Sequence, residues 1–233
     1  MKQALITGGA RGIGFGIAEA MLKAGYGVTV TGLSAEEVAG VPVRENLKAV
    51  RLNVTSDTEV AACIGAISRL DALVNCAGMV LRDGKEFTIA GFQKVIDVNL
   101  TGTMRMCLGA KPLLDQQGGA IVNIASVWSF FGGPLVPAYT ASKGGVAQLT
   151  KSLAVAWAPA IRVNAVAPGW IETELTKAAW QDPARAGAIV DRTPFGRWGQ
   201  PNDIGGAVVF LCSESAGFIT GTVLPVDGGY TAK

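Results

Sequence analysis

Short runs of apolar and β-branched residues alternate along this chain with longer segments in which apolar positions recur at helical spacing. Ala4–Thr7, Val28–Thr31, Lys48–Leu52, Ala72–Asn75, Ile121–Ala125, Arg162–Val166 and Thr222–Val226 read as strands. Helices are predicted over about Gly14–Ala24, Asp57–Arg69, Phe92–Ala110, Ala138–Trp157 and Asn202–Ser213. The strand segments are continuously apolar, as parallel strands buried on both faces must be, and a helix joins each to the next. The pattern predicts an α/β fold, a doubly wound parallel sheet of about seven strands with helices on both faces. Ligands then belong at the carboxyl ends of the strands. No linker or composition shift divides residues 1–233, so one domain is expected.

Charge changes this picture little. The 20 Lys plus Arg and 18 Asp plus Glu are scattered, with no basic stripe to grip a phosphate backbone, so a nucleic-acid partner is not expected. Hydrophobic residues are 49% and charged residues 16%, a balance that favours an oligomer with part of its surface covered. Four cysteines form no CxxC and there is no histidine, which argues against a metal site and for buried, reduced thiols. No leader-like or membrane-spanning apolar stretch is read, so a cytoplasmic location is expected. The absence of histidine also excludes Ser-His-Asp and Cys-His catalysis. Proton transfer must use Tyr, Lys, Asp, Glu or Cys.

The chemistry starts at Thr7-Gly8-Gly9-Ala10-Arg11-Gly12-Ile13-Gly14, a glycine-rich turn between a strand and a helix. Glycines there allow a tight turn and let backbone N–H groups approach a pyrophosphate at the positive end of the helix. The turn resembles the TGxxxGxG fingerprint of short-chain dehydrogenases/reductases, and further segments match that family in order. Asn75-Cys76-Ala77-Gly78 resembles its NxAG motif, Asn99 its active-site asparagine, Ser126 its serine, and Tyr139 with Lys143 its YxxxK. Pro168-Gly169, Ile171 and Thr173 resemble its nicotinamide loop, and Ile219-Thr220-Gly221 with Val226-Asp227-Gly228-Gly229 its closing strand.

The resemblance implies a Rossmann-type fold and an oxidoreductase that moves a hydride between a nicotinamide cofactor and a carbonyl or secondary alcohol. It also implies a homotetramer and a substrate lid around residues 170–195. Tyr139 and Lys143, four apart, share a helix face, and the ammonium together with the positive oxidised nicotinamide is expected to favour the phenolate and bring the tyrosine pKa towards neutrality. By the resemblance, Tyr139 is the acid/base, Ser126 donates to the substrate oxygen, Lys143 holds the nicotinamide ribose and Asn99 holds a relay water. Asn75, Ala77 and Gly78 would support the adenine side of the site, and Asn53-Val54, where the family has Asp-Val, would contact the adenine.

An acid at the end of the second strand would favour NAD, and none is there: Gly32 stands at that position, followed by Leu33 and Ser34. Arg11, with Ser34 and Thr31, could meet a 2′-phosphate, so NADP is favoured over NAD. On the substrate side, Trp128, Phe131, Val136, Trp170 and Trp180 predict an apolar wall and hence an apolar ketone or alcohol. The segment after Pro168 also resembles 3-oxoacyl-carrier-protein reductases, in which a basic residue near Lys177 would meet the carrier. Enoyl reductases fit less well, because their tyrosine and lysine lie further apart. A non-catalytic dinucleotide-binding regulator is the alternative from another class.

Overall fold

The computed structural model describes all 233 residues, Met1–Lys233. Its strands are β1 (Gln3–Thr7), β2 (Gly27–Gly32), β3 (Leu47–Arg51), β4 (Ala72–Asn75), β5 (Ala120–Ile124), β6 (Arg162–Pro168) and β7 (Val223–Val226). All pair in parallel in one sheet of order β3-β2-β1-β4-β5-β6-β7, the doubly wound arrangement expected from the apolar runs.

Nine α-helices accompany the sheet: α1 (Gly12–Lys23), α2 (Ala35–Ala39), α3 (Asp57–Gly65), α4 (Ile89–Ile96), α5 (Gly102–Asp115), α6 (Pro137–Trp157), α7 (Lys177–Trp180), α8 (Pro183–Arg192) and α9 (Pro201–Cys212). Proline opens α6, α8 and α9, where its missing N–H costs no helical bond. Ser56 caps α3 by accepting from the Glu59 N–H, and Asp182 caps α8 by accepting from the Ala184 N–H. The single helix predicted over Phe92–Ala110 is two helices, because a π-helical turn at Asp97–Thr101 separates α4 from α5. Such turns concentrate at functional positions, and this one carries Asn99.

Successive strand residues feed opposite cores. Ala4 and Ile6 pack with Ile17, Met21, Ile204 and Leu211 on one face, whereas Leu5 packs with Leu73, Met106, Leu114 and Ile161 on the other. This two-sided burial is why the strands read as unbroken apolar runs. From β1 the chain winds outward first through β2 and β3, then through β4 to β7, so a crevice opens where β1 and β4 lie side by side. There Thr7 is in register with Asn75, and the Thr7 hydroxyl accepts from the N–H groups of Cys76 and Ala77, both at 3.1 Å. No helix is long and apolar enough to cross a membrane, and no group of three or more metal-ligating side chains is present.

Candidate active site

The glycine turn forms the floor of the crevice. Gly8 has φ +61°, and a Cβ there would stand 2.8 Å from the Ala77 Cα, so only glycine lets β1 and the loop after β4 approach this closely. A Cβ on Gly14 would meet the Gly8 carbonyl oxygen at 2.3 Å. Arg11 is the N-cap of α1 and supplies no side-chain cap, which leaves the first N–H groups of the helix, from Gly12 through Ile13 to Gly14, unclaimed by a side chain. Across the turn Thr173 approaches Gly12, its Cγ2 lying 3.5 Å from the point where a Gly12 side chain would begin. A glycine floor, unclaimed helix N–H groups and an overhanging threonine fit a dinucleotide pyrophosphate.

Other expected cofactor residues fall around this floor. Pro168 ends β6, and Gly169 is held against Asp227, where any Cβ would stand 2.7 Å from the Asp227 Cα. Ile171 is buried, and Thr173 forms a capping box with Thr176. Asn53 makes a turn with its Oδ1 accepting from the Thr55 N–H at 3.0 Å, and Val54 is buried against Gly102. Gly78 lies beside the catalytic groups: a Cβ there would be 3.5 Å from Asn99 Oδ1 and 3.7 Å from Lys143 Nζ. Asn75 turns into the sheet instead, its Nδ2 donating to Asn123 Oδ1 at 2.9 Å, while Asn123 donates to Thr150 at 3.0 Å. It stitches β4, β5 and α6 together, while its Oδ1 has no partner in the protein.

At the end of β2 the residues expected to meet a 2′-phosphate already have partners within the protein. Thr31 is 1% exposed and its hydroxyl accepts from the Gly8 N–H at 3.2 Å, so it faces the turn and not solvent. Ser34 caps α2 by accepting from the Glu37 N–H. Leu33 is exposed. Arg11 is not a free guanidinium; it pairs with Glu37 at 2.9 Å.

Ser126, Tyr139, Lys143 and Asn99 converge at the carboxyl ends of β4 and β5. The Lys143 Nζ donates to the Ile124 carbonyl at 2.6 Å and stands 5.6 Å from the Tyr139 ring centroid. Ser126 follows β5 and accepts from the Trp128 N–H at 3.2 Å. Asn99 is fully buried; its Oδ1 accepts from the Met79 N–H at 2.8 Å and its Nδ2 donates to the Met79 carbonyl and to Ser142. The Asn99 amide therefore clamps the loop after β4 to α6. Sequence reasoning missed Glu86, 1% exposed, whose carboxylate accepts from the N–H groups of Tyr139 and Leu81, both at 2.9 Å. It anchors the first turn of α6, and only the fold brings it there.

Burial governs the titration of this cluster. It pushes the Tyr139 phenol up to about 12, with the Ser126 hydroxyl pulling the other way. Burial also brings the Lys143 ammonium down to about 8, opposed by Cys76. The unfolded chain thus binds the Lys143 proton more tightly than the folded one between about pH 8 and its ordinary 10.5. Stability rises with pH across that window, and below it the full cost of about 3 kcal/mol remains, at about 1.4 kcal/mol per pH unit. Lys143→Met removes this titration and also leaves the Ile124 carbonyl without its donor, so its stability relative to the parent should fall by about 3 kcal/mol between about pH 8 and 10.5, as read by urea unfolding; a difference constant with pH would contradict this assignment.

An aromatic wall flanks the cluster. Trp128 meets Phe131 edge-on at 6.3 Å and Trp170 at 6.0 Å, and Trp170 meets Trp198 at 5.5 Å. Phe131 also touches Tyr230. Val136 stands at the N-cap of α6, packed against Gly133. Trp180 donates its indole N–H to the Thr173 carbonyl at 3.3 Å. Trp198 and Tyr230 belong to the wall, although they lie far along the chain from Ser126 and no local motif marks them.

The wall is not purely apolar: the Arg192 guanidinium lies 4.3 Å from the Tyr230 ring centroid and 5.3 Å from that of Phe131. Lys177 pairs with Glu174 at 3.1 Å.

Comparison with known proteins agrees with this geometry. The family model described as enoyl-(acyl carrier protein) reductase matches residues 8–231. The 2-dehydro-3-deoxy-D-gluconate 5-dehydrogenase of Bacillus subtilis is 40% identical over 242 residues, covering 100% of this chain and 95% of that protein. The 3-oxoacyl-[acyl-carrier-protein] reductase of Aquifex aeolicus is 38% identical, covering 98% and 96%. Among solved structures, a gluconate 5-dehydrogenase from Burkholderia cenocepacia in complex with NADP and tartrate superposes with a TM-score of 0.94 at 34% identity, over 100% of this chain and 96% of that one. With the parallel sheet, the glycine floor and the Ser-Tyr-Lys cluster in one crevice, these matches make the chain a member of the short-chain dehydrogenase/reductase family, an oxidoreductase acting between CH–OH and C=O groups.

Proposed function

We propose that this enzyme interconverts a polyhydroxylated sugar acid and its keto form with NADP(H), and that Ser126, Tyr139 and Lys143 carry the chemistry. The observation that carries this reading is the meeting of that cluster with an aromatic wall edged by Arg192, a guanidinium with no carboxylate partner in the protein. Aromatic faces suit the C–H surface of a sugar, and a free guanidinium suits a carboxylate. The names of the Bacillus and Burkholderia relatives support a sugar-acid substrate, and the NADP in the latter supports the cofactor. The expectation of an apolar substrate is therefore not retained.

Bound NADP(H) supplies the hydride donor or acceptor at its nicotinamide. In oxidation Tyr139 takes the proton of the substrate hydroxyl as hydride leaves the same carbon; in reduction it returns that proton to the carbonyl oxygen. Ser126 donates to this oxygen while negative charge develops on it. Lys143, whose Nζ stands 5.6 Å from the Tyr139 ring centroid, would hold the nicotinamide ribose. Asn99 positions the loop carrying Gly78, beside which Lys143 ends. Residues 170–195, with α7 and α8, act as a lid within a single domain, tied to the loop after β4 by Arg82 donating to the Leu175 carbonyl. Phe92, Leu108 and Val155, exposed on α4, α5 and α6, support the homotetramer, which light scattering reads directly. Four free thiols suit the reducing cytoplasm.

Arg192→Leu tests the substrate reading. It should raise KM about tenfold or more for sugar acids and leave a neutral ketone or a 3-oxoacyl thioester unaffected. Turnover of 3-oxoacyl thioesters alone, indifferent to Arg192, would overturn the sugar-acid assignment in favour of an acyl reductase.

A further inference from the structure

The two nicotinamide cofactors differ only at the adenine ribose, and at that end of the crevice the structure holds a carboxylate that no strand-end motif announces. An acid at the end of the second strand of such a sheet accepts from the ribose 2′-hydroxyl, whereas an arginine nearby accommodates a 2′-phosphate. Here β2 ends on Gly32, which carries no side chain. Its smallness makes room for another residue: a Cβ on Gly32 would stand 2.9 Å from Glu37 Cβ and 3.3 Å from Glu37 Oε2.

Glu37 belongs to α2 and folds back over the strand end. Its Oε2 accepts from the Leu33 N–H at 2.7 Å, and its Oε1 pairs with the Arg11 guanidinium at 2.9 Å. Ser34, capping α2, accepts from the Glu37 N–H at 3.2 Å and fixes the residue that bears the carboxylate. Arg11 remains 68% exposed while Glu37 is 24% exposed, so the carboxylate lies inside and the guanidinium outside. The helix has thus supplied the acid that the strand lacks, and that acid engages the guanidinium and the backbone N–H that a 2′-phosphate would use.

We propose that Glu37 sets the balance between the two cofactors, accepting from the 2′-hydroxyl of NAD(H) and surrendering Arg11 when the 2′-phosphate of NADP(H) binds. NADP(H) binding then carries the cost of breaking the Arg11–Glu37 pair and of placing a phosphate beside a carboxylate, and this keeps NAD(H) usable by the same enzyme. The inference rests on the dinucleotide reading of the crevice and goes beyond it by naming the residue that discriminates.

The test is direct binding. NADPH and NADH are titrated separately into the full-length protein, following nicotinamide fluorescence, for the parent, Glu37→Gln, Arg11→Ala and the double variant. Glu37→Gln keeps the size of the side chain and removes its charge. It should tighten NADPH about tenfold or more relative to NADH, a change of about 1.4 kcal/mol. In the Arg11→Ala background the part of that gain that comes from releasing the guanidinium should disappear, leaving only the relief of repulsion between phosphate and carboxylate. A ratio of the two dissociation constants unchanged by Glu37→Gln, or shifted towards NADH, would overturn the proposal while leaving the dinucleotide reading intact. A parent protein that bound neither nucleotide would overturn that reading, and the proposal with it.

Discussion

Tyr139→Phe is expected to lower kcat/KM by about 10²- to 10⁴-fold while leaving the dissociation constant of NADPH within about twofold of the parent value. The substitution removes one oxygen from a ring that otherwise keeps its place: the backbone N–H of residue 139 still donates to Glu86, and the Lys143 Nζ still rests on the Ile124 carbonyl. Only the proton carrier is lost. In the parent the phenol sits near 12 because burial outweighs the other influences, so at neutral pH it is held protonated, ready to donate in the reductive direction. Oxidation needs the phenolate, and its rate should climb with pH more steeply than the rate of reduction. Steady-state kinetics in both directions, with nicotinamide fluorescence for binding, separates this role from a structural one. Equal losses in affinity and turnover would point to a displaced helix.

Gly14→Ala carries the second large expectation. The added methyl would start 2.3 Å from the Gly8 carbonyl oxygen and 2.8 Å from the Gly9 Cα, all of it backbone, so the turn itself must move. Overpacking of this kind costs about 1–3 kcal/mol of stability. The displaced turn would also carry away the N–H groups that face the pyrophosphate, so dinucleotide affinity should fall by about tenfold or more even in protein that remains folded. Thermal melting and nicotinamide titration read the two effects independently. A variant of parent stability and parent affinity would show that the glycine turn is only a tight connection.

What was legible in the chain follows from how far apart the cooperating residues lie. Ile6 and Leu5 each find a core on opposite faces, so β1 shows itself as an apolar run, and the same holds for the other inner strands. The glycine turn and the Tyr139–Lys143 pair were legible because each is local: one spans a single turn, the other one helical repeat. Glu86 and Glu37 were not. Glu86 is an ordinary acid in the sequence and gains meaning only when α6 lays its first N–H groups on the carboxylate. Glu37 sits on a five-residue helix too short to leave a periodic signal, and its role depends on the missing side chain at Gly32. The π-helical turn at Asn99 was hidden inside what reads as a continuous helix, since the extra residue alters the backbone and not the pattern.

In the protein alone, burial is the largest influence on the Tyr139 phenol. Spacing shows that an ammonium is near but says nothing of how far both groups are withdrawn from water, and here desolvation governs both.

Hydride transfer to a keto sugar acid is the centre of this account, and isotope tracing tests it most directly. NADPH deuterated at the transferring position of the nicotinamide is mixed with the enzyme and a keto sugar acid, and the product is examined by NMR. Deuterium is expected on the newly formed carbinol carbon, with one equivalent of cofactor oxidised, and no such product from Tyr139→Phe on the same timescale. Bound cofactor that stays reduced across keto sugar acids, simple ketones and 3-oxoacyl thioesters would contradict it.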